Sequence, residues 1–176
     1  MKILGALALL VGCGPRKAAP PDHPGTSIPL AYPILLLGTE VPDITVVDTE
    51  AAFTTTSKSS SLMYTALQIV DSKGALYKVD TATPMGDVGS AWKDLGTKNY
   101  RVFLDMKFRK TISVDDARKM VLENVRSPRN QLSRPPERLR TAVAAVESYR
   151  TLDQLIAGCA NQSDWLEHVP KYGAGQ

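Results

Sequence analysis

Between Tyr100 and Val125 the sequence changes its hydrophobic period, and that switch constrains the fold more than any other feature. Tyr100, Val102, Leu104, Met106 and Phe108 are apolar at alternate positions, while Arg101, Asp105, Lys107 and Arg109 fall between them together with Phe103. Period two with one charged side predicts a strand covered on one face only. Directly afterwards Val114, Ala117, Val121, Leu122 and Val125 recur at helical spacing, the stripe of a helix that buries one side. Ser113 is a good N-cap, Asp115 and Asp116 suit the positive end of the helix dipole, and Arg126 suits the negative end. Pro128 is expected to stop this helix.

Upstream of the switch the signals are strand-like. Ile34 to Leu37 and Ile44 to Val47 are apolar runs, and Thr54 to Ser61 is a polar tract that reads as an edge strand followed by a loop. Leu62 to Val70 and Ala75 to Thr83 flank Asp71-Ser72-Lys73-Gly74, which predicts an antiparallel hairpin whose glycine takes positive φ. Downstream, after a connector from Ser127 to Pro136, Leu139, Val143, Val146 and Tyr149 share a helix face. Leu152, Leu155, Ile156 and Cys159 continue it, as one long helix or as two split at Thr151, where Thr151 and Gln154 can form a capping box. Strands first and helices last predict an α+β fold: a mostly antiparallel sheet in the N-terminal half with two or three C-terminal helices packed on one face.

The composition belongs to a folded chain, with 43% hydrophobic residues, and a net charge of +3 is too small to imply nucleic acid. At the start, Lys2 precedes nine residues, Ile3 to Val11, that are apolar or Gly, and then Gly12 and Cys13. The stretch is far short of the ~20 residues a membrane-spanning helix needs, but it fits an export signal. Leu10-Val11-Gly12-Cys13 resembles the lipobox of bacterial lipoprotein precursors. The resemblance implies cleavage before Cys13, acylation of Cys13, and a membrane-held protein of the cell envelope. Gly14 after the cysteine is similar to the class sent to the outer membrane, facing the periplasm, where the source is Gram-negative. The expected organisation is a signal peptide at 1–12, a lipidated Cys13 with a proline-rich tether to residue 33, one α+β domain over 34–170, and a tail at 171–176. With Cys13 acylated, Cys159 has no partner for a disulfide and is expected to be buried as a small apolar residue; an intermolecular bridge is the alternative.

No familiar chemistry emerges from the remaining residues. The two histidines, His23 and His168, offer no triad or multi-histidine metal site. Ser90-Ala91-Trp92-Lys93 has Ser-x-x-Lys spacing, but Lys110-Thr111 is followed by Ile112 and no Ser-Asp-Asn occurs, so its usual companions are missing. No phosphate-loop or dinucleotide pattern is present, and no cofactor, metal or catalytic residue is expected. Two features suit binding. The Gly-rich stretch 84–99 carries Trp92 beside Lys93 and Asp94, an aromatic type favoured at interface centres; the competing reading, that Trp92 caps the core above the sheet, is the more ordinary one. Arg126, Arg129, Arg134, Arg138 and Arg140 stand against Glu137 alone, a pattern that suits anionic lipid or an acidic partner and also arises on solvated faces. The expected function is a non-catalytic, lipid-anchored envelope protein that binds another protein or an envelope polymer. An immunity or inhibitor lipoprotein and a hydrolase with a carboxylate site are the alternatives.

Overall fold

The structure is a computed structural model that describes residues 25–39, 43–57, 63–88 and 99–161. Within them the fold is α+β. Seven strands form one mixed sheet: β1 (Gly25–Thr26), β2 (Ile34–Gly38), β3 (Ile44–Val47), β4 (Thr55–Ser57), β5 (Leu67–Asp71), β6 (Ala75–Val88) and β7 (Asn99–Thr111). Their order is β1-β7-β6-β5-β2-β3, with β4 pairing on β7. Every pairing is antiparallel except that of β1 with β7. The helices are α1 (Glu50–Phe53), α2 (Val114–Val125), α3 (Pro128–Ser133), α4 (Pro136–Ser148) and α5 (Leu152–Asn161), with one 3-10 turn at Tyr64–Ala66.

Strand alternation sorts the apolar side chains into two cores. Leu35, Leu37, Ile44, Val70 and Leu76 point to one face, where α2, α4 and α5 cover them with Val121, Val125, Val146, Leu155 and Ile156. Ile34, Ile69, Tyr77, Val79, Val102, Leu104 and Met106 point to the other, covered by Phe53 of α1, Tyr64, and the arm residues Ile28, Leu30 and Tyr32. Strands β2 and β5 are therefore covered on both sides, which is why Ile34 to Leu37 of β2 reads as an unbroken apolar run. Much of β7 is buried on one side only, as its alternation predicts: Val102 and Leu104 are fully buried and Arg101, Asp105, Lys107 and Arg109 are exposed, but Phe108, expected on the buried face, is 53 % exposed.

Local signals explain much of the helical layer. Ser113 caps α2, with its hydroxyl accepting from the Asp116 N–H at 3.1 Å and the Asp116 carboxylate accepting from the Ser113 N–H at 3.3 Å, a reciprocal capping box. The chain breaks between α4 and α5 at Thr151, whose hydroxyl accepts from the Gln154 N–H at 3.2 Å. Pro128 does not simply end α2: it occupies the first turn of α3, with Ser127 as N-cap, because proline lacks only a donor that a first helical turn leaves unused anyway. The expected connector thus contains a helix.

The expected tether reached residue 33, yet the fold takes in the chain from Gly25. Thr26 pairs with Leu104, the Ser27 hydroxyl accepts from the Met106 N–H at 2.8 Å, and Ser72 donates through its N–H and its hydroxyl to the Ala31 carbonyl, each at 3.0 Å. Proline content gave this arm its extended look; side-chain and backbone pairing to distant strands fixes it. The β5–β6 turn is closed by Gly74 at φ +80°, where an added Cβ would lie 2.9 Å from the Ile112 carbonyl.

Candidate functional site

Strands β6 and β7 form a ribbon of 14 and 13 residues, paired from Ala75 and Thr111 at one end to Val88 and Asn99 at the other. Strand β5 pairs with β6 only as far as Lys78, so beyond it β6 has no second strand among the described residues. At about 3.3 Å per residue the ribbon's two ends stand roughly 40 Å apart. Three register shifts interrupt the ladder, at Leu76/Tyr77, Val79/Thr81 and Pro84/Gly86. Such bulges increase twist and discourage pairing with another chain. On its exposed side Asp80 and Lys107 form an ion pair at 2.5 Å, and that bond holds the Asp80 carboxyl below its ordinary value.

Trp92, Lys93 and Asp94 fall in the connection between β6 and β7 and lie outside the described residues, as does Cys13. Arg129 and Arg134 are described, and α3 brings them to one corner of the helical layer. Arg129 is exposed, on the rim of a groove of about 570 Å³ that Leu37, Gln68, Met120 and Asn124 also line. Arg134, the C-cap of α3, is half-buried, and burial pulls its guanidinium below the usual value against the opposing charge of Asp43. A second open groove, of about 630 Å³, lies between the end of α2, α3 and α4, with Val125, Leu139 and Val143 in its wall and Arg126 and Arg140 at its rim. Arg126 reaches across it to Glu147 at 2.9 Å.

Two buried asparagines hold this corner together. Asn124 donates through Nδ2 to the Gly38 carbonyl at 2.9 Å, tying α2 to the end of β2, and Asn130 donates to the Asn124 carbonyl at 2.9 Å, tying α3 to α2. Sequence reasoning did not single out either residue. The available signal was Asn124 interrupting an apolar stripe beside Val121 and Val125.

The buried or cross-linked carboxylates are committed to structure. Asp71 accepts from the Lys73 and Ala75 N–H groups at 3.0 and 2.9 Å, and more distantly from the Ala31 N–H and the Tyr77 hydroxyl, each at 3.4 Å. Glu50 accepts from the N–H and hydroxyl of Thr26, and its charge adds to the burial that raises the Tyr32 phenol. Cys159 is buried and free, and desolvation pushes its thiol up to about 12. Among the described residues no group of three or more His, Cys, Asp and Glu side chains is placed to hold a metal ion. No helix among them is long and apolar enough to cross a membrane. No protein family, curated protein or solved structure matches this chain.

Proposed function

We propose that this chain is a lipid-anchored protein of the bacterial cell envelope, held at a membrane through acylated Cys13, and that its domain acts by binding another protein or an envelope polymer rather than by catalysis. The observation that carries the reading is the β6–β7 ribbon. It runs past the β5 pairing and ends where the connection bearing Trp92, Lys93 and Asp94 begins. A support in which β4 and β1 also pair along β7 suits a loop that must be offered to a partner, since binding loops work best on stiff scaffolds. Trp92 is the aromatic anchor of this site and Lys93 and Asp94 are its polar flank. The favoured location is the outer membrane facing the periplasm if the source is Gram-negative.

The reading is tested by Trp92→Ala in the intact chain, followed by in-envelope crosslinking and thermal melting. An anchor role predicts a melting temperature near wild type and loss of the crosslinked partner, at a cost above ~2 kcal/mol in binding. A fall in stability of about 3–5 kcal/mol places Trp92 in the core instead and removes the loop's claim to the function. Anchoring is tested separately: under a high-salt wash, which screens surface charge, Cys13→Ser is expected to leave membranes that retain the wild type, and a variant that still fractionates wholly with them contradicts acylation.

A further inference from the structure

Leu132 is a large apolar side chain held out in water. It is 90 % exposed near the end of α3, a helix bracketed by Pro128 on one side and by Pro135 and Pro136 on the other. Its neighbour Gln131 lines the 630 Å³ groove of apolar wall and arginine rim. Residues 126 to 140 include five arginines and one acid, Glu137. Arg126 is engaged by Glu147 and Arg134 is half-buried near the Asp43 charge. The other three, Arg129, Arg138 and Arg140, are all exposed.

We propose that this corner of α2, α3 and α4 docks the domain on an anionic lipid bilayer, with Arg129, Arg138 and Arg140 on head-group phosphates and Leu132 entering the acyl boundary. Arg129 lies one helical turn before Leu132 on the same side of α3, and a cation beside a projecting leucine matches the layering of a bilayer surface, where phosphate gives way to hydrocarbon over about 5–10 Å. An acidic protein segment seated in the 630 Å³ groove would reach Arg140, but Arg129 lines the other groove and Leu132 lines neither. The biological setting rests on the acylation proposed for Cys13, whereas the docking chemistry does not. Eleven residues separate Cys13 from Gly25, a reach of roughly 40 Å at full extension. A weak surface affinity becomes effective when the domain is confined so near a membrane.

The test uses the full chain carrying Cys13→Ser, so that no acyl group contributes, and reads co-sedimentation with vesicles of phosphatidylglycerol and phosphatidylcholine against pure phosphatidylcholine. Residues 1–12 are common to all variants, so differences between variants are read. The expected result is stronger binding to the phosphatidylglycerol vesicles that weakens with added salt. The triple variant Arg129→Ser, Arg138→Ser, Arg140→Ser is expected to lose about fivefold per charge, on the order of 100-fold in all. Leu132→Asn is expected to lose severalfold with the salt dependence unchanged, and hydrogen exchange at residues 126–140 is expected to slow on the anionic vesicles. Equal affinity for the two vesicle types, an unaffected triple variant or an unaffected Leu132→Asn overturns the proposal. So does retention of an acidic peptide in place of vesicles. A wild-type chain that stays membrane-bound while the Cys13→Ser chain ignores vesicles leaves the anchor standing and removes the docking.

Discussion

The two faces of the sheet are covered by different means. On one, three amphipathic helices lay continuous apolar stripes over Leu35, Leu37, Val70 and Leu76. On the other, an irregular arm, a four-residue helix and a 3-10 turn bring isolated large residues, Phe53, Tyr64, Ile28 and Leu30, over Ile69, Val79, Val102 and Leu104. Regular helices satisfy most of their own backbone groups, so apolar area does most of the holding, helped by the ties from Asn124 to Gly38 and from Asn130 to Asn124. The irregular cover cannot do so and is pinned by specific polar contacts: Thr26 to Glu50, Ser27 to Met106, Ala31 to Asp71 and Ser72, and the Tyr64 hydroxyl donating to the Phe53 carbonyl at 2.5 Å. An unpaired backbone group under such cover costs as much as a lost hydrogen bond. Burial on the arm side therefore leans more heavily on polar contacts than burial on the helical side does.

That contrast is open to attack by substitution. Phe53→Ala empties a site only 2 % exposed, packed edge-on against Tyr64 at 5.6 Å, and is expected to cost about 3–5 kcal/mol in denaturant unfolding. A cost below ~1 kcal/mol would show that the arm side contributes little to the domain. Asp71→Ala leaves the Lys73 and Ala75 donors without their acceptor and is expected to cost about 2–3 kcal/mol, although no apolar contact of note is lost. On the helical face the sensitive point is steric. An added Cβ at Gly158 would lie 2.2 Å from the Tyr149 ring, so Gly158→Ala is expected to cost about 1–3 kcal/mol as the ring is pushed aside. Ser113→Ala, which removes only the α2 cap, is expected to cost about 1 kcal/mol.

Alkaline pH loosens both faces, and one variant separates them. Burial raises the Cys159 thiol and the Tyr149 phenol on the helical side, and the Tyr32, Tyr64 and Tyr77 phenols on the arm side. A group whose folded pKa lies above its unfolded value contributes stability that is complete below the unfolded pKa and lost as the pH rises toward the folded one. Stability is thus expected to be flat near pH 8 and to fall from about pH 9 toward 12. Cys159→Val is expected to make that fall shallower, and native Cys159 is expected to react slowly with thiol reagents until denaturant is added. Rapid labelling of the native thiol at pH 8 would contradict its burial.

How much of this was legible in the sequence follows the same division. The β5–β6 hairpin, the one-sided β7, the capped α2 and the break at Thr151 all rest on signals within about ten residues; sequence reading found the first three and gave the break as one of two alternatives. α1 and α3 are capped locally by Thr49 and Ser127 but are too short to show a period, while the arm and the Asn124 tie rest on bonds that span much more chain: Ala31 and Asp71 are 40 residues apart, and Asn124 and Gly38 are 86 apart. No local period encodes such partners. Of the candidate binding residues, Arg129 and Arg134 were flagged by charge clustering, and α3 set them beside grooves that clustering does not reveal. Trp92, Lys93 and Asp94 were flagged by loop length, and the fold supplies the long ribbon that precedes and follows them.

The claim that the arm belongs to the domain is tested most directly by limited proteolysis with mass-spectrometric mapping of the first cuts. Wild-type protein is expected to be cut N-terminal to Gly25 while the segment from Ser27 to Pro33 stays intact. Asp71→Ala, by freeing the Ala31 contact, is expected to open that segment to cleavage before the helical layer is touched. Cleavage of the wild-type chain between Ser27 and Pro33 as fast as before Gly25 would contradict the account, and would return those residues to the tether.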